Sequence, residues 1–157
     1  MNVAGILHTG AFSLSEGAHL VIGVGGESAG GEWIFGYDQI TASGAITLTG
    51  GDLKLTLLGF PEFSATATFF LIANNSHGAP TGTFATLNGS AFDPSNIILN
   101  GRSFQLTYTA NFTGSDSDGV ANDVALVAVP EPGVWGSIFT GFGLLAIRRP
   151  RTGRRWS

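Results

Sequence analysis

An all-β fold is predicted for this chain, and three observations predict it. Only 11% of its 157 residues are charged, whereas soluble domains average about 25% and helices need those charges on their exposed faces. Gly supplies 24 residues, and Thr, Val, Ile and Phe fill the segments between glycine-rich turns, which is the composition of short strands. Apolar residues alternate at period two in one segment after another, and no window of about 11 residues before position 133 carries a 3.6-residue period.

The elements follow in order. Phe12 and Leu14 alternate with serines, and Leu20, Ile22 and Val24 alternate again, so each set marks a strand. Residues 23–31 (GVGGESAGG) form a flexible turn region. The region lacks Gly-x-Gly-x-x-Gly spacing and no helical pattern follows it, so it is not read as a phosphate-binding loop. Ile46 and Leu48 alternate with threonines, and Leu53, Leu55 and Leu57 alternate with Lys54 and Thr56. Gly50-Gly51 between the two runs predicts a tight turn. Residues 67–73 (ATFFLIA) are continuously apolar, as in a strand buried on both faces. A loop over 74–82 and one strand over 82–87 (GTFATL) come next. Residues 97–99 and 104–109 are strands, with Phe104, Leu106 and Tyr108 sharing one face of the second. A polar turn over 111–119 precedes the last strand, 123–129. About ten short strands make an all-β domain, either a stacked β-helix or a sandwich.

Charge divides the chain sharply. Residues 1–133 hold Lys54 and Arg102 against eleven acids, a net of −9, and residues 134–157 hold five arginines and no acid. Such asymmetry marks a tail with a partner of its own. The acidic body is a poor match for nucleic acid, because phosphate contacts need Lys and Arg. The absence of cysteine excludes disulfides, zinc–thiolate sites and thiol nucleophiles. Residues 1–15 have neither the basic start nor the long apolar core of a secretory signal peptide.

The order YDQITASGAITLTGGDLKLTL, ATFFLIAN, GTFATL, FQLTYT and NDVALVAV, chiefly Tyr37-Asp38-Gln39 and Asn122-Asp123-Val124, resembles the closing segment of autotransporter-type β-helix passengers. It is also similar to proteins carrying autotransporter-associated β-strand repeats. The resemblance covers about residues 33–129. It implies a right-handed parallel β-helix with a capping end, at the cell surface or secreted, and no catalytic chemistry.

The C-terminal segment is more specific. Residues 134–147 carry no charge, and Arg148, Arg149, Arg151, Arg154 and Arg155 follow. A helix over 134–147 would be about 21 Å long. That is short against a hydrocarbon core of about 30 Å, and arginine snorkelling extends the usable span. Val134, Trp135, Ile138, Phe139, Phe142, Leu144, Leu145 and Ile147 form the apolar body of this expected transmembrane anchor, and the arginines form its cytoplasmic stop. Pro130-Glu131-Pro132 precedes it, and two prolines keep that stretch extended and open to a protease. Pro-Glu-Pro, an apolar run and an arginine cluster, in that order over residues 129–155, closely resemble the PEP-CTERM sorting signal.

That resemblance implies a bacterial envelope protein recognised by an exosortase, with Pro130, Glu131 and Pro132 as recognition residues. It further implies a single-pass membrane precursor that ends on the surface or secreted, often with exopolysaccharide or biofilm matrix. The expected division is an extracytoplasmic all-β domain over 1–129, a linker over 130–133, a helix over 134–147 and a basic tail over 148–157. An export signal is expected to accompany such a tail, so 1–129 is expected to belong to a longer passenger.

Other groupings are weighed lower. Asp116, Asp118 and Asp123 lie in GSDSDGVAND, part of a calcium-loop pattern, but Gly114 stands where another acid belongs. A turn before the last strand is the plainer reading. His8, His19 and His77 are too far apart in sequence to suggest a catalytic group. Trp33, Phe35 and Tyr37 alternate and would suit stacking on sugar rings, although core positions are favoured. Neither an enzymatic activity nor a cofactor is expected. A surface carbohydrate-binding or adhesin module using Trp33 and Tyr37 is the alternative function.

Overall fold

A computed structural model describes residues 5–31, 35–58, 63–114 and 118–130. Among these residues the chain forms fourteen strands and no α-helix, so the all-β class expected from composition holds. Trp33, Asp116, Glu131, Pro132, the anchor segment 134–147 and the arginines of 148–155 lie outside the described residues. No helix among the described residues is long and apolar enough to cross a membrane.

The chain makes three similar passes. The first lays down β1 (Ile6–Thr9), β2 (Phe12–Ser15) and β3 (His19–Val24). An excursion through β4 (Ser28–Ala29) and β5 (Gly36–Tyr37) follows, with Tyr37 set antiparallel to Val24. The second pass forms β6 (Gln39–Ala42), β7 (Ile46–Thr49) and β8 (Asp52–Leu57). The third forms β9 (Thr68–Asn74), β10 (Thr81–Thr83) and β11 (Thr86–Leu87). Each strand pairs in parallel with its counterpart one pass later: β1 with β6 and β6 with β9, β2 with β7 and β7 with β10, β3 with β8 and β8 with β11. Ile6 faces Gln39, Phe12 faces Ile46 and His19 faces Asp52, so a pass takes 33 or 34 residues at these positions. Successive passes, or coils, are thus joined by parallel ladders in three sheets.

The stack ends by changing direction. β12 (Ile97–Leu99), β13 (Arg102–Ala110) and β14 (Asp123–Ala128) are antiparallel, and β14 lies against β9. Together with β1, β6 and β9 they complete a six-stranded sheet.

Period-two alternation explains the core. Leu14 stacks on Leu48, and Ile22 stacks on Leu55, all pointing inward and buried. Phe69 is fully buried, with its ring 5.1 Å from Phe63, 5.5 Å from Tyr37 and 6.4 Å from Phe104. Each such aliphatic or aromatic side chain contributes about 1.5–3 kcal/mol by leaving water. β9 matches the apolar run read as buried on both faces only toward its end. Thr68 and Phe70 are half-buried, while Leu71, Ile72 and Ala73 are enclosed.

Several local expectations are corrected. Gly50-Gly51 does not join a hairpin: β7 and β8 lie in different sheets, so the pair forms a corner of the coil. Gly51 is needed there because a Cβ would lie 2.3 Å from Leu14 Cδ2. The stretch read as one strand, 82–87, is split into β10 and β11 on two sheets, because Phe84 turns into the core between them. The turn region 23–31 contains the end of β3 and all of β4. The loop expected from residue 74 starts later, since Asn74 closes β9.

Candidate functional site

Parallel register brings side chains from three coils into one column. His19 opens β3, Asp52 opens β8 and Thr86 opens β11, and the ladders set them side by side. Thr86 Oγ1 donates to Asp52 Oδ1 at 2.6 Å, and the Gly89 amide donates to the same oxygen at 2.9 Å. His19 Nδ1 lies 3.2 Å from Asp52 Oδ2. The bond from Thr86 and then that from Gly89 hold the Asp52 carboxyl below its ordinary pKa, against the opposing effect of burial, with His19 adding a smaller contribution.

A groove of about 360 Å³ opens beside this column, lined by Glu16, His19, Thr49, Asp52, Thr86 and the glycine corner. Its wall on this side is polar, built around the Asp52 carboxylate. Nucleophile activation needs an imidazole between the carboxylate and the hydroxyl. Here the carboxylate stands between the imidazole and the hydroxyl, and Thr86 gives its proton to Asp52 in the hydrogen bond. Glu16 and His19 line the groove, while Asp52 lies buried behind them with Oδ1 held by Thr86 and Gly89.

The three histidines do not meet. His8 lies on β1, His19 on β3 and His77 in the loop after β9, where its Nδ1 is 3.7 Å from Asp118 Oδ2. Among the described residues no group of three or more His, Asp or Glu side chains is arranged to hold a metal.

Of the aspartates singled out in the sequence, Asp118 and Asp123 are drawn into one buried network. Asp123 Oδ1 accepts the Asn74 amide at 2.7 Å and Oδ2 accepts the Phe112 amide at 2.6 Å. Asp118 Oδ1 accepts from the Val120 amide, and Oδ2 accepts from the His77 amide and from Asn122 Nδ2. Asn74 Nδ2 and Asn122 Nδ2 both donate to the Gly78 carbonyl, at 2.6 and 3.3 Å. The Val120 amide is the main cause of the lowered Asp118 pKa, whereas burial raises that of Asp123 and the Asp118 charge adds to the rise. Sequence reasoning met Asn122 only as part of a family motif and did not assign Asn74 or Asn122 to a polar network. The available signal was polar residues at the very ends of apolar runs, in FLIAN and ANDVALV.

The aromatic alternation does not make one face. Tyr37 is buried and its hydroxyl accepts from the Phe70 amide at 3.4 Å, while Phe35 stands exposed at 69%. Antiparallel pairing with Val24 carries Tyr37 into the core and removes it from any sugar-stacking strip. Of the sorting motif, Pro130 is described; it is exposed at the end of β14, just after Val129 donates to the Ser103 carbonyl.

No protein-family model, no curated protein and no solved structure matches this chain.

Proposed function

We propose that this is an exported bacterial envelope protein whose β body is delivered by a PEP-CTERM signal and processed by an exosortase. One observation carries the reading: Pro130-Glu131-Pro132, an uncharged run over 134–147 and five arginines within 148–155 occur in the order of that signal. Each part has its own physical task. The prolines keep a peptide extended for a protease. The apolar run partitions into the bilayer, and the arginines resist translocation.

The body suits such a destination. Its stacked coils and antiparallel end agree with a parallel β-helix, right-handed by the usual handedness of parallel crossover connections, and a cysteine-free fold needs no oxidising compartment to assemble. Its role on this reading is structural, in an exopolysaccharide or biofilm matrix, with the exosortase and the membrane as transient partners. The deciding experiment expresses the full chain, behind an export signal, in hosts with and without an exosortase. The mass of the mature C-terminus is then measured. Loss of the residues beyond the motif only when the enzyme is present is expected, and an intact tail in both hosts overturns the reading.

A surface carbohydrate-binding or adhesin role is the second reading. The groove beside His19, Asp52 and Thr86 favours it, since hydroxyl-rich ligands suit its acceptors. Glycan binding that survives in the wild type and is lost in Glu16→Ala and His19→Ala would select it.

A further inference from the structure

Two Asn-Gly dipeptides lie exposed on the body, Asn88-Gly89 and Asn100-Gly101. Their backbones are alike. Both asparagines are left-handed, with φ of 52° and 49°, and the glycines follow at 79° and 78°. Asparagine is among the chemically labile residues. A glycine after it leaves the next backbone nitrogen free of steric cover, since it has no Cβ.

Their surroundings differ. Asn88 Oδ1 accepts from the Leu55 amide at 2.9 Å, and the Gly89 amide donates to Asp52 Oδ1 at 2.9 Å. The Asn88 side chain and the nitrogen that follows it are thus anchored to separate groups of β8. Asn100 and Gly101 form the two-residue turn between β12 and β13, closed by the Leu99–Arg102 pair. Among the described residues no hydrogen bond holds the Asn100 side chain, and a Cβ on Gly101 would meet nothing within 4 Å.

We propose that Asn100-Gly101 is a self-modifying site, where Asn100 converts to aspartate and isoaspartate while Asn88 in the same chain is protected. The Gly101 nitrogen gives its proton to a solvent base and attacks Asn100 Cγ. The Cγ–Nδ2 bond breaks and ammonia leaves, closing a succinimide ring. Water then opens the ring: addition at Cγ gives aspartate, and addition at the main-chain carbonyl gives isoaspartate. The net change is water in and ammonia out. At Asn88 the same closure must break the bonds to Leu55 and Asp52, and the Asp52 carboxylate opposes the amide anion that forms at Gly89. Isoaspartate lengthens the main chain of a tight turn and adds a negative charge. That turn sets the register of β12, the edge strand of its sheet, on β13, with Ile97 opposite Phe104. Conversion therefore loosens β12. The site does not depend on the sorting reading.

The test holds the full chain folded in detergent in mildly alkaline buffer, beside a sample unfolded in urea. Tandem mass spectrometry of peptides follows both asparagines over weeks. In the folded chain Asn100 is expected to convert on the order of tenfold faster than Asn88, the factor for breaking a hydrogen bond before the reaction. In urea the two rates are expected to converge. Converted chains, separated by charge, are expected to exchange the amide hydrogens of β12 faster than unconverted ones. Equal rates in the folded chain, a faster Asn88, or an Asn100 that converts only in urea overturns the site. A difference that persists unchanged in urea overturns its structural cause, and unaltered exchange overturns the loosening of β12.

Discussion

Thr86 donates a 2.6 Å hydrogen bond to Asp52, which lies 34 residues earlier and one coil below. The same carboxylate faces His19 on the coil before that. A single acidic side chain therefore ties three successive coils at one corner, and its protonation is coupled to the stack.

Acid titration is expected to expose this coupling. The Asp52 carboxyl is held below its ordinary pKa, so its contribution is fully present above the unfolded-state value of about 3.9 and is lost as pH falls through the lower folded value. Asp93 and Asp118 are shifted the same way, and Asp123 is shifted oppositely by burial. Asp52→Asn is expected to lower Tm at pH 7 and to flatten the fall in Tm below pH 4, as measured by circular dichroism melts.

The aromatic centre is the most sensitive packing site. Phe69 is completely enclosed among Tyr37, Phe63 and Phe104. Phe69→Ala is expected to cost about 3–5 kcal/mol through lost transfer energy and a cavity. Phe69→Leu is expected to cost visibly less. Urea denaturation of both variants checks the difference.

Gly82 tests the backbone of the third coil. Its φ is +79°, and a Cβ would lie 2.1 Å from the Leu48 carbonyl oxygen on the paired strand β7. Gly82→Ala is expected to cost about 1–3 kcal/mol and to open the β10 pairing first. Hydrogen exchange at Thr83, compared with Leu48 in β7, reads out where the loss is concentrated.

Asn88 ends the outer edge of β8. Its φ is +52°, its amide donates to the Leu53 carbonyl, and its Oδ1 accepts from the Leu55 amide at 2.9 Å. The side chain thus takes the place of another strand where β11 stops. Asn88→Ala is expected to cost about 1–2 kcal/mol, from a lost hydrogen bond and a strained left-handed residue. Asn88→Gly removes the bond without the strain and is expected to cost less in the same denaturation experiment.

Strand positions were legible because period-two alternation reports which face of a strand is buried. Leu53, Leu55 and Lys54 lie as the pattern requires, and so do Phe104 and Leu106. Strand partners were less legible. Gly50-Gly51 looked like a hairpin turn and is a coil corner, because turn residues specify a change of direction and not which strand comes alongside. A weak repeat was present, with AFSLS at 11–15 answering AITLT at 45–49. Its 34-residue spacing is that of the passes, and it was hard to see because the paired strands share an apolar alternation and few identical residues.

The sequence by itself determined the all-β class, the placement of most strands and the charge division between body and tail, since composition and alternation act locally. Tertiary structure decided the rest. It brought His19, Asp52 and Thr86 into one column, buried Tyr37, and joined Asn74 to Asn122 and Asp123 at the end of the stack. These contacts join residues mostly remote in the chain, and their register follows from backbone ladders that every strand offers alike. Only the packing of the whole core selects one pairing among them.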